Sequence, residues 1–270
     1  MSGADWVDGD PAALRAAYIT ERAPLDATAP PEVRVEPETR PGLDGLRFTP
    51  AGGAAGAPIL YFHGGGWMVG SPETHRALCA WLALLSGRRV ISVRYPLAPD
   101  HRYPAQREAA RGALAALLQA EGGPVFVAGD SAGGAMALWA AEARAAGEVL
   151  GVAAFYPAFG VTASPSIDRF GPGHEALHSA AIAAMYARLG ARPAQVQDDV
   201  PQGGAPVLVL AASHDPLYDD SAALFDHLSA RDVTFWTAEG EAHAFLHHGG
   251  ARPVVRDWLR RVGRWMAEHP

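Results

Sequence analysis

The sequence predicts an α/β protein with a mostly parallel central sheet and helices on both of its faces. Short, continuous apolar runs rich in β-branched residues are typical of strands buried on both faces, and residues 58–63 and 124–129 are clear examples. Between such runs lie stretches rich in alanine and leucine that favour helices, such as residues 104–120. Strands that alternate with helices in this way form a parallel sheet with helices packed on either side.

The boundaries of these elements follow from capping and turn residues. Asp10 and Pro11 predict the N-cap and first position of the first helix. Ser71 and Pro72 open the second helix, and Gly87 predicts its end. The predicted strands are residues 32–37, 43–50, 58–63, 89–95, 124–129, 150–157, 206–213 and 233–240. The predicted helices are residues 11–19, 73–85, 104–120, 135–146, 220–230 and 252–266.

Residues 160–199 interrupt this alternation of strands and helices. The segment is too long for a simple connection, and one stretch within it is helix-like. Insertions of this length often form a lid over a site. We expect one domain over residues 1–270, since the sequence contains neither an internal repeat nor a second domain boundary.

The composition restricts the partners of the protein. The formal net charge is −7 and the basic residues, all arginine, do not cluster, which argues against nucleic acid as a partner. Cys79 is the single cysteine, so an intrachain disulfide and a thiolate metal cluster are excluded, and a buried inert thiol is expected. The N-terminus does not resemble a signal peptide and no apolar run approaches the roughly 18 residues of a membrane span. We therefore expect a cytoplasmic protein without a membrane partner.

The turn after the strand over residues 124–129 carries a candidate nucleophile. It reads Gly-Asp-Ser-Ala-Gly-Gly, and a helix follows within about one residue. Glycines 129, 133 and 134 remove the Cβ atoms that would clash in so sharp a reversal, so Ser131 lies at the apex above a helix N-terminus. A Gly-x-Ser-x-Gly pattern alone is a weak signal, but the strand before it and the helix after it strengthen it. The alternative of a phosphate-binding turn lacks both the Gly-x-Gly-x-x-Gly and the Gly-Lys-Ser/Thr patterns.

Two later strands end at candidate partners for Ser131. Asp215 follows the strand over residues 206–213, and His243 follows the strand over residues 233–240. The order Ser, Asp, His is the order in an α/β-hydrolase, where the acid orients the base that activates the serine. We expect Asp219 to cap the helix that follows it.

Metal binding is an alternative role for the histidines near the end of the chain. His243, His247 and His248 stand at helical spacing, but no His-Glu-x-x-His pattern is present. We therefore expect His247 and His248 to face solvent and expect no metal site.

A glycine-rich loop after the strand over residues 58–63 is a candidate oxyanion hole. Its glycines at positions 64–66 allow backbone N–H groups to approach a developing negative charge closely. Two donors from this loop and the N–H of Ala132 would make a hole with three donors. The alternative of a dinucleotide-binding turn fails because Val69 stands in the place of its third glycine.

Five ordered motifs make the sequence resemble the bacterial hormone-sensitive-lipase-like esterases of the α/β-hydrolase superfamily. They are HGGGW at 63–67, YPLAPDHRYPAQ at 95–106, GDSAGG at 129–134, DPLYD at 215–219 and HAF at 243–245. The resemblance implies an α/β-hydrolase fold with a small helical cap formed by residues 1–30 and 160–199. It also implies catalytic and oxyanion-hole residues: Ser131 as nucleophile, His243 as general base, Asp215 as its orienting acid, and Gly64, Gly65 and Ala132 as oxyanion donors. The sequence departs from the family where Ala244 replaces the usual glycine.

The same resemblance implies a serine carboxylic-ester hydrolase that works through an acyl-enzyme intermediate without a metal or organic cofactor. A formamidase or a small-molecule N- or O-deacetylase would use the same triad, and a non-catalytic binding module on this fold is a further alternative. Because a small cap can enclose only a few methylenes, each worth about 0.8 kcal/mol, we expect a small-molecule ester with a short acyl group. The residues expected to line the substrate site are Trp67, Met68, Phe170, Met185 and Tyr186.

Overall fold

The computed structural model describes residues 4–142, 144–145 and 147–269. Its strands are β1 (Val33–Glu38), β2 (Gly45–Pro50), β3 (Ile59–Phe62), β4 (Val90–Val93), β5 (Val125–Asp130), β6 (Val149–Phe155), β7 (Val207–His214) and β8 (Val233–Ala242). They form one eight-stranded sheet in the order β1-β2-β4-β3-β5-β6-β7-β8. The pairs of β2 with β1 and with β4 are antiparallel, and the remaining pairs are parallel. The predicted mostly parallel sheet is confirmed.

Burial along the sheet explains why the apolar runs form its centre. Every residue of β3, β4 and β5 is buried, as expected for strands covered on both faces. At the edge, β1 is half exposed and tolerates Pro37, which cannot donate to a neighbouring strand.

Helices cover both faces of the sheet, as predicted. They are α1 (Pro11–Asp26), α2 (Arg76–Ser86), α3 (Ala105–Glu121), α4 (Ala132–Ala140), α5 (Pro165–Phe170), α6 (Ser179–Leu189), α7 (Pro193–Asp198), α8 (Tyr218–His227) and α9 (Pro253–Glu268). Apolar residues of α2 and α9 pack in one core cluster, and those of α1, α3, α4, α6 and α8 pack in the cluster on the other face. The helix predicted over residues 135–146 begins earlier, at Ala132, and ends at Ala140; residues 143 and 146 lie outside the described residues.

The insertion over residues 160–199 is more helical than expected. The sequence suggested one helix-like stretch, but the segment holds α5, α6 and α7. The two additional helices have six residues each and begin at Pro165 and Pro193. A helix of fewer than two turns shows too little apolar periodicity to be detected, whereas the prolines at the first helical position mark both starts.

Two expectations about individual features can be compared with the structure. Cys79 is buried, and its burial raises the pKa of the thiol well above its ordinary value, in agreement with an inert role. Across the described ranges, no helix has the combination of length and apolar composition that crossing a bilayer requires.

Candidate active site

Ser131 lies in the sharp turn between β5 and α4. Its φ is 54°, a left-handed conformation that is unfavourable for a residue with a side chain. A Cβ on Gly129 would come within 2.1 Å of the Gly133 carbonyl oxygen, and one on Gly133 would come within 2.1 Å of the Phe62 carbonyl oxygen. Both positions therefore require glycine. The turn packs directly on β3 and holds the serine hydroxyl at the carboxyl edge of the sheet.

His243 lies between Ser131 and Asp215. Its Nε2 is 3.1 Å from the Ser131 Oγ, and its Nδ1 is 2.7 Å from the Asp215 Oδ2. The other carboxylate oxygen of Asp215 accepts the Leu217 N–H at 2.8 Å, and the Asp215 side chain is fully buried. When the imidazole Nδ1–H donates to this carboxylate, the Nε2 lone pair faces the serine hydroxyl. The structure thus brings together the three side chains that the sequence singled out.

Asp219 has a different role from the one predicted. The residue at the N-cap of α8 is Leu217, which gives no side-chain cap. The Asp219 Oδ2 instead accepts the backbone N–H of Ser166 at 2.9 Å, in the first turn of α5. The prediction of a cap on the helix after Asp219 was wrong because the carboxylate reaches a helix of the insertion, which the sequence pattern did not reveal.

The glycine loop supplies a different pair of amides from the one implied by the resemblance. The Gly64 N–H donates to the Asp130 Oδ1 at 3.0 Å and to the His75 Nε2 at 3.1 Å. Gly64 is therefore unavailable as an oxyanion donor, which corrects that assignment. Gly65 and Gly66 line the cavity beside Ser131, and neither N–H has an acceptor among the described residues.

The third predicted donor belongs to the start of a helix. Ala132 is the first residue of α4, and an N–H at this position has no acceptor within its own helix. The amides of Gly65, Gly66 and Ala132 are thus the candidates for the oxyanion hole. The sequence could not distinguish among three consecutive glycines, because the acceptor that engages Gly64 is Asp130, which lies far from it along the chain.

Asp130 anchors this loop from the interior. Its Oδ1 also accepts the Tyr61 hydroxyl at 2.7 Å, and its Oδ2 lies 3.4 Å from the Nε2 atoms of both His75 and His247. Burial alone would raise the pKa of the Asp130 carboxyl, but His75 and His247 outweigh burial and hold it well below its usual range. A charged carboxylate that accepts both the Tyr61 hydroxyl and the Gly64 N–H gives the loop a rigid attachment.

The Asp130 cluster also offers the atoms that a metal ion would use. One ligand atom each of His75, Asp130 and His247 lie within 4.8 Å of one another. The Gly64 N–H already donates to the His75 Nε2, and the other oxygen of Asp130 accepts the Tyr61 hydroxyl and the same Gly64 N–H, so the arrangement is explained as an anchor for the loop.

The histidines after His243 are less exposed than predicted. His247 is only 2 % exposed, because residues Phe245–His248 form a short 3₁₀ turn that folds back beneath Asp130. His248 is partly buried and lines the same cavity as Ser131. The expectation that both face solvent was wrong, since spacing alone does not reveal a turn in this direction.

A cavity of about 260 Å³ opens over Ser131 and His243. Of the predicted lining residues, Trp67, Met185 and Tyr186 face it, together with Trp6, Tyr18 and Leu25 from the N-terminal segment. The other two are not among its lining residues. Met68 is buried in the core, and the Phe170 ring packs edge-on against His214 with 5.4 Å between centroids.

The two segments that wall this cavity are joined directly. The Arg188 guanidinium, at the end of α6, donates to the Val7 carbonyl oxygen at 2.8 Å. From the insertion, His174 also faces the cavity, and its Nδ1 accepts the Ala176 N–H at 3.2 Å. Burial and the nearby His243 lower the pKa of His174 to about 4, so this imidazole is neutral at neutral pH.

Comparisons with known proteins agree with this geometry. A family model described as alpha/beta hydrolase fold matches residues 59–247. The chain is 34% identical to an ethyl acetate hydrolase of Pseudomonas putida over 236 residues, which cover 80% of this chain and 74% of that protein. Among solved structures, a hyperthermophilic esterase from the archaeon Pyrobaculum calidifontis aligns with a TM-score of 0.86 and 28% identity, covering 97% of this chain and 94% of that one.

The resemblance to hormone-sensitive-lipase-like esterases extends to a further structure. An esterase from the bacterial hormone-sensitive lipase family aligns with a TM-score of 0.82 over 94% of this chain and 90% of that one. At 23% identity, this similarity shows a shared fold and no more.

Proposed function

Because this chain belongs to the α/β-hydrolase fold family, we propose that it hydrolyses carboxylic esters with Ser131 as the nucleophile. The observation that carries the proposal is the position of His243, with one ring nitrogen 3.1 Å from the Ser131 Oγ and the other 2.7 Å from the Asp215 Oδ2. A serine hydroxyl becomes nucleophilic near neutral pH when an oriented imidazole accepts its proton.

In the first half of the reaction, the Ser131 Oγ attacks the ester carbonyl carbon while the His243 Nε2 takes the hydroxyl proton. The carbonyl oxygen becomes an oxyanion, which the N–H groups of Gly65, Gly66 and Ala132 stabilise. His243 then gives the proton to the leaving alcohol oxygen. The bond between the carbonyl carbon and that oxygen breaks, and the acyl group stays on Ser131.

In the second half, water takes the place of the alcohol. The His243 Nε2 accepts a proton from the water, whose oxygen attacks the acyl carbon and forms a second oxyanion in the same hole. The imidazolium returns its proton to the Ser131 Oγ as the acid leaves. Asp215 orients the ring and stabilises its charged form throughout.

The size of the cavity supports substrates with short acyl groups, from acetyl to about hexanoyl. Its volume of about 260 Å³ lies below the range of about 300–1,000 Å³ that is typical of sites for drug-sized ligands. The relative from Pseudomonas putida is named for the hydrolysis of ethyl acetate, an ester of this size. Nothing in the site favours the alternative of a formamidase or deacetylase.

The cap over the site also belongs to this proposal. Residues 1–30 and 160–199 would act as the helical cap, since α1 and the segment from His174 to Tyr186 line the cavity. The cytoplasmic location expected from the sequence stays a prediction.

A fluorophosphonate probe followed by an ester panel would test the proposed function. The probe should label the protein, and Ser131→Ala should abolish the labelling. Ser221→Ala is a matched control, since Ser221 is a buried serine of α8 that does not line the cavity. The labelled protein should hydrolyse p-nitrophenyl acetate and butyrate. Labelling that persists in Ser131→Ala, or a panel with no hydrolysis, would contradict the proposal.

A further inference from the structure

Arg22 brings a positive charge to the wall of the cavity. It lies on α1 one turn after Tyr18, and its guanidinium carbon is 4.9 Å from the centroid of the Tyr18 ring. Both side chains line the cavity that contains Ser131 and His243. Stacking on the ring holds the guanidinium in place and leaves its edge for hydrogen bonds.

The hydrogen-bonding capacity of Arg22 is not used up within the protein. Its Nε is buried and has no acceptor among the described residues. No carboxylate of the described residues lies within 4.0 Å of the Arg22 guanidinium nitrogens. Other arginines, such as Arg40 and Arg252, form close ion pairs. Since Arg22 forms no close ion pair with a described carboxylate, its guanidinium can pair with a carboxylate that enters the cavity.

Burial acts to lower the pKa of the Arg22 guanidinium, but the electrostatic attraction of Tyr18, Glu21 and Asp130 outweighs burial and raises it, so Arg22 is charged at neutral pH. The carboxylates that line the cavity are Glu21 and Asp130, and Asp130 accepts hydrogen bonds from Tyr61 and Gly64. Burial lowers the pKa values of the histidines at positions 174, 247 and 248, so these rings are neutral at neutral pH. Arg22 is therefore the permanent cation among the described lining residues.

We propose that Arg22 binds a carboxylate carried by the ester substrate, so that the enzyme selects small anionic esters. This inference rests on the proposed function, because the ester must reach Ser131 in the same cavity. A guanidinium suits the role because its N–H groups match the two oxygens of a carboxylate. Ser131 and Arg22 both line this cavity of about 260 Å³, so the substrate is small and carries its charge a few bonds from the ester.

Two pairs of esters test the proposal and identify which part of the substrate bears the charge. For the alcohol side, 4-acetoxybenzoate is compared with the neutral 4-acetoxybenzamide. For the acyl side, mono-4-nitrophenyl adipate is compared with 4-nitrophenyl hexanoate. Each kcat/KM is divided by the uncatalysed hydrolysis rate to remove differences in reactivity. We expect the anionic member of at least one pair to be preferred by roughly 10-fold or more, as for a hydrogen bond to a charged group.

Substitutions of Arg22 decide whether this residue causes the preference. Arg22→Gln should reduce the anionic-to-neutral ratio to near one, and Arg22→Lys should restore part of it. The ratio is internal to each variant, so a partly misfolded preparation does not change it. Arg111→Gln is the matched control because Arg111 is exposed on α3, away from the cavity, and its ratio should equal that of the wild type.

The possible outcomes separate this inference from the proposed function. Absence of a preference in both pairs, or a preference that survives in Arg22→Gln, would overturn the assignment of Arg22 while ester hydrolysis remains. An equal loss in Arg111→Gln would also overturn it, since the cause would be overall charge. Failure to hydrolyse any ester would instead contradict the proposed function.

Discussion

The backbone N–H of Gly64 donates to the Asp130 Oδ1 at 3.0 Å, which joins the glycine loop to the residue that precedes Ser131. The strand β3 carries the loop and the neighbouring strand β5 carries the serine, so one carboxylate fixes the two parts of the site relative to each other. Gly65 and Gly66, whose N–H groups are the proposed oxyanion donors, follow directly in the chain, so this hydrogen bond sets their position relative to Ser131.

We expect Asp130→Ala to lower both stability and activity. The substitution leaves the buried Tyr61 hydroxyl without its acceptor, the Gly64 N–H with the His75 Nε2 alone, and the two histidines without their carboxylate, so urea unfolding at pH 7 should show a loss of about 3–5 kcal/mol. Asp130→Asn keeps one acceptor oxygen and should lose less. The exposed Asp226→Asn is the control and should change stability by less than about 0.5 kcal/mol. Equal stabilities for Asp130→Ala and this control would contradict the anchoring role.

The triad should behave as one unit. Ser131→Ala and His243→Ala should each lower kcat by about 10⁴–10⁶, and the double variant should be little worse. Asp215→Asn should cost about 10⁴, because the imidazole can adopt the wrong tautomer. Asp219→Asn serves as its control, since the Asp219 carboxylate bonds the Ser166 N–H. Additive losses in the double variant, or a severe effect of Asp219→Asn, would refute this assignment.

Met185 should set the limit on acyl length. A Cβ on Gly66 would come within 2.3 Å of the Met185 Sδ, so this side chain lies directly against the oxyanion loop. Met185→Ala should move the maximum of kcat/KM by about two carbons along a series of p-nitrophenyl esters, at about 0.8 kcal/mol per added methylene.

Leu189→Ala is the control for the acyl-length experiment. Leu189 is buried on the same helix α6 but does not line the cavity, so its truncation should destabilise the protein without moving the maximum. A maximum at ten carbons or longer in the wild type would show that Met185 does not limit the chain.

Asp220 should make stability depend on pH. Burial raises the pKa of its carboxyl to about 8. Since the unfolded-state pKa is about 3.9, the folded protein holds an extra proton between these values, and stability falls as the pH rises from about 4 to 8. Asp220→Asn imitates the neutral carboxyl. It should be more stable than the wild type at pH 8 by up to about 5 kcal/mol, with the difference gone near pH 4.

The neighbouring Asp219 provides a contrast of opposite sign. Burial acts to raise its pKa, but the hydrogen bond from the Ser166 N–H outweighs this and lowers it. The stability contributed by Asp219 is therefore present above pH 4 and is lost as the pH falls further. Urea unfolding at pH 4, 6 and 8 should show that Asp219→Asn is less stable than the wild type at pH 8. Parallel curves for both asparagine variants would contradict the two environments.

Replacing Ala244 by glycine should make the folded protein more stable. Its φ is 61°, a left-handed conformation that costs an L-residue roughly 1–2 kcal/mol. Ala244→Gly should therefore raise the free energy of unfolding by about 0.5–1 kcal/mol, after allowance for the greater freedom of glycine in the unfolded chain. Ala242→Gly, in β8, is the control and should lower it. A loss of stability in Ala244→Gly would contradict the inference that the left-handed conformation of Ala244 destabilises the protein.

Most of the sheet could be predicted because its signals are local. Apolar runs such as residues 58–63 and 124–129 specify buried strands, and the glycines around Ser131 specify the sharp turn between a strand and a helix. Asp215 and His243 could be found as candidates because parallel strands end at one edge of the sheet, which brings residues far apart in sequence together.

The missed features depend on contacts that no local pattern encodes. The bond that removes Gly64 from the oxyanion hole comes from Asp130, and the partner of Asp219 is a backbone N–H of the insertion. His247 is buried because a short turn folds back beneath Asp130, whereas helical spacing suggested an exposed position. In each case the deciding partner lies more than 50 residues away along the chain.

The hydrogen bond from Arg188 to the Val7 carbonyl oxygen joins the two segments that can vary when the substrate range of the protein changes. Two segments from outside the sheet line the cavity and meet above it, whereas the proposed catalytic residues follow the ends of strands. Substitutions in either segment are therefore expected to alter which molecules the cavity admits, while the side chains at the strand ends keep their positions. Exchange of the first helix can therefore change the range of accepted substrates while the proposed catalytic residues stay the same.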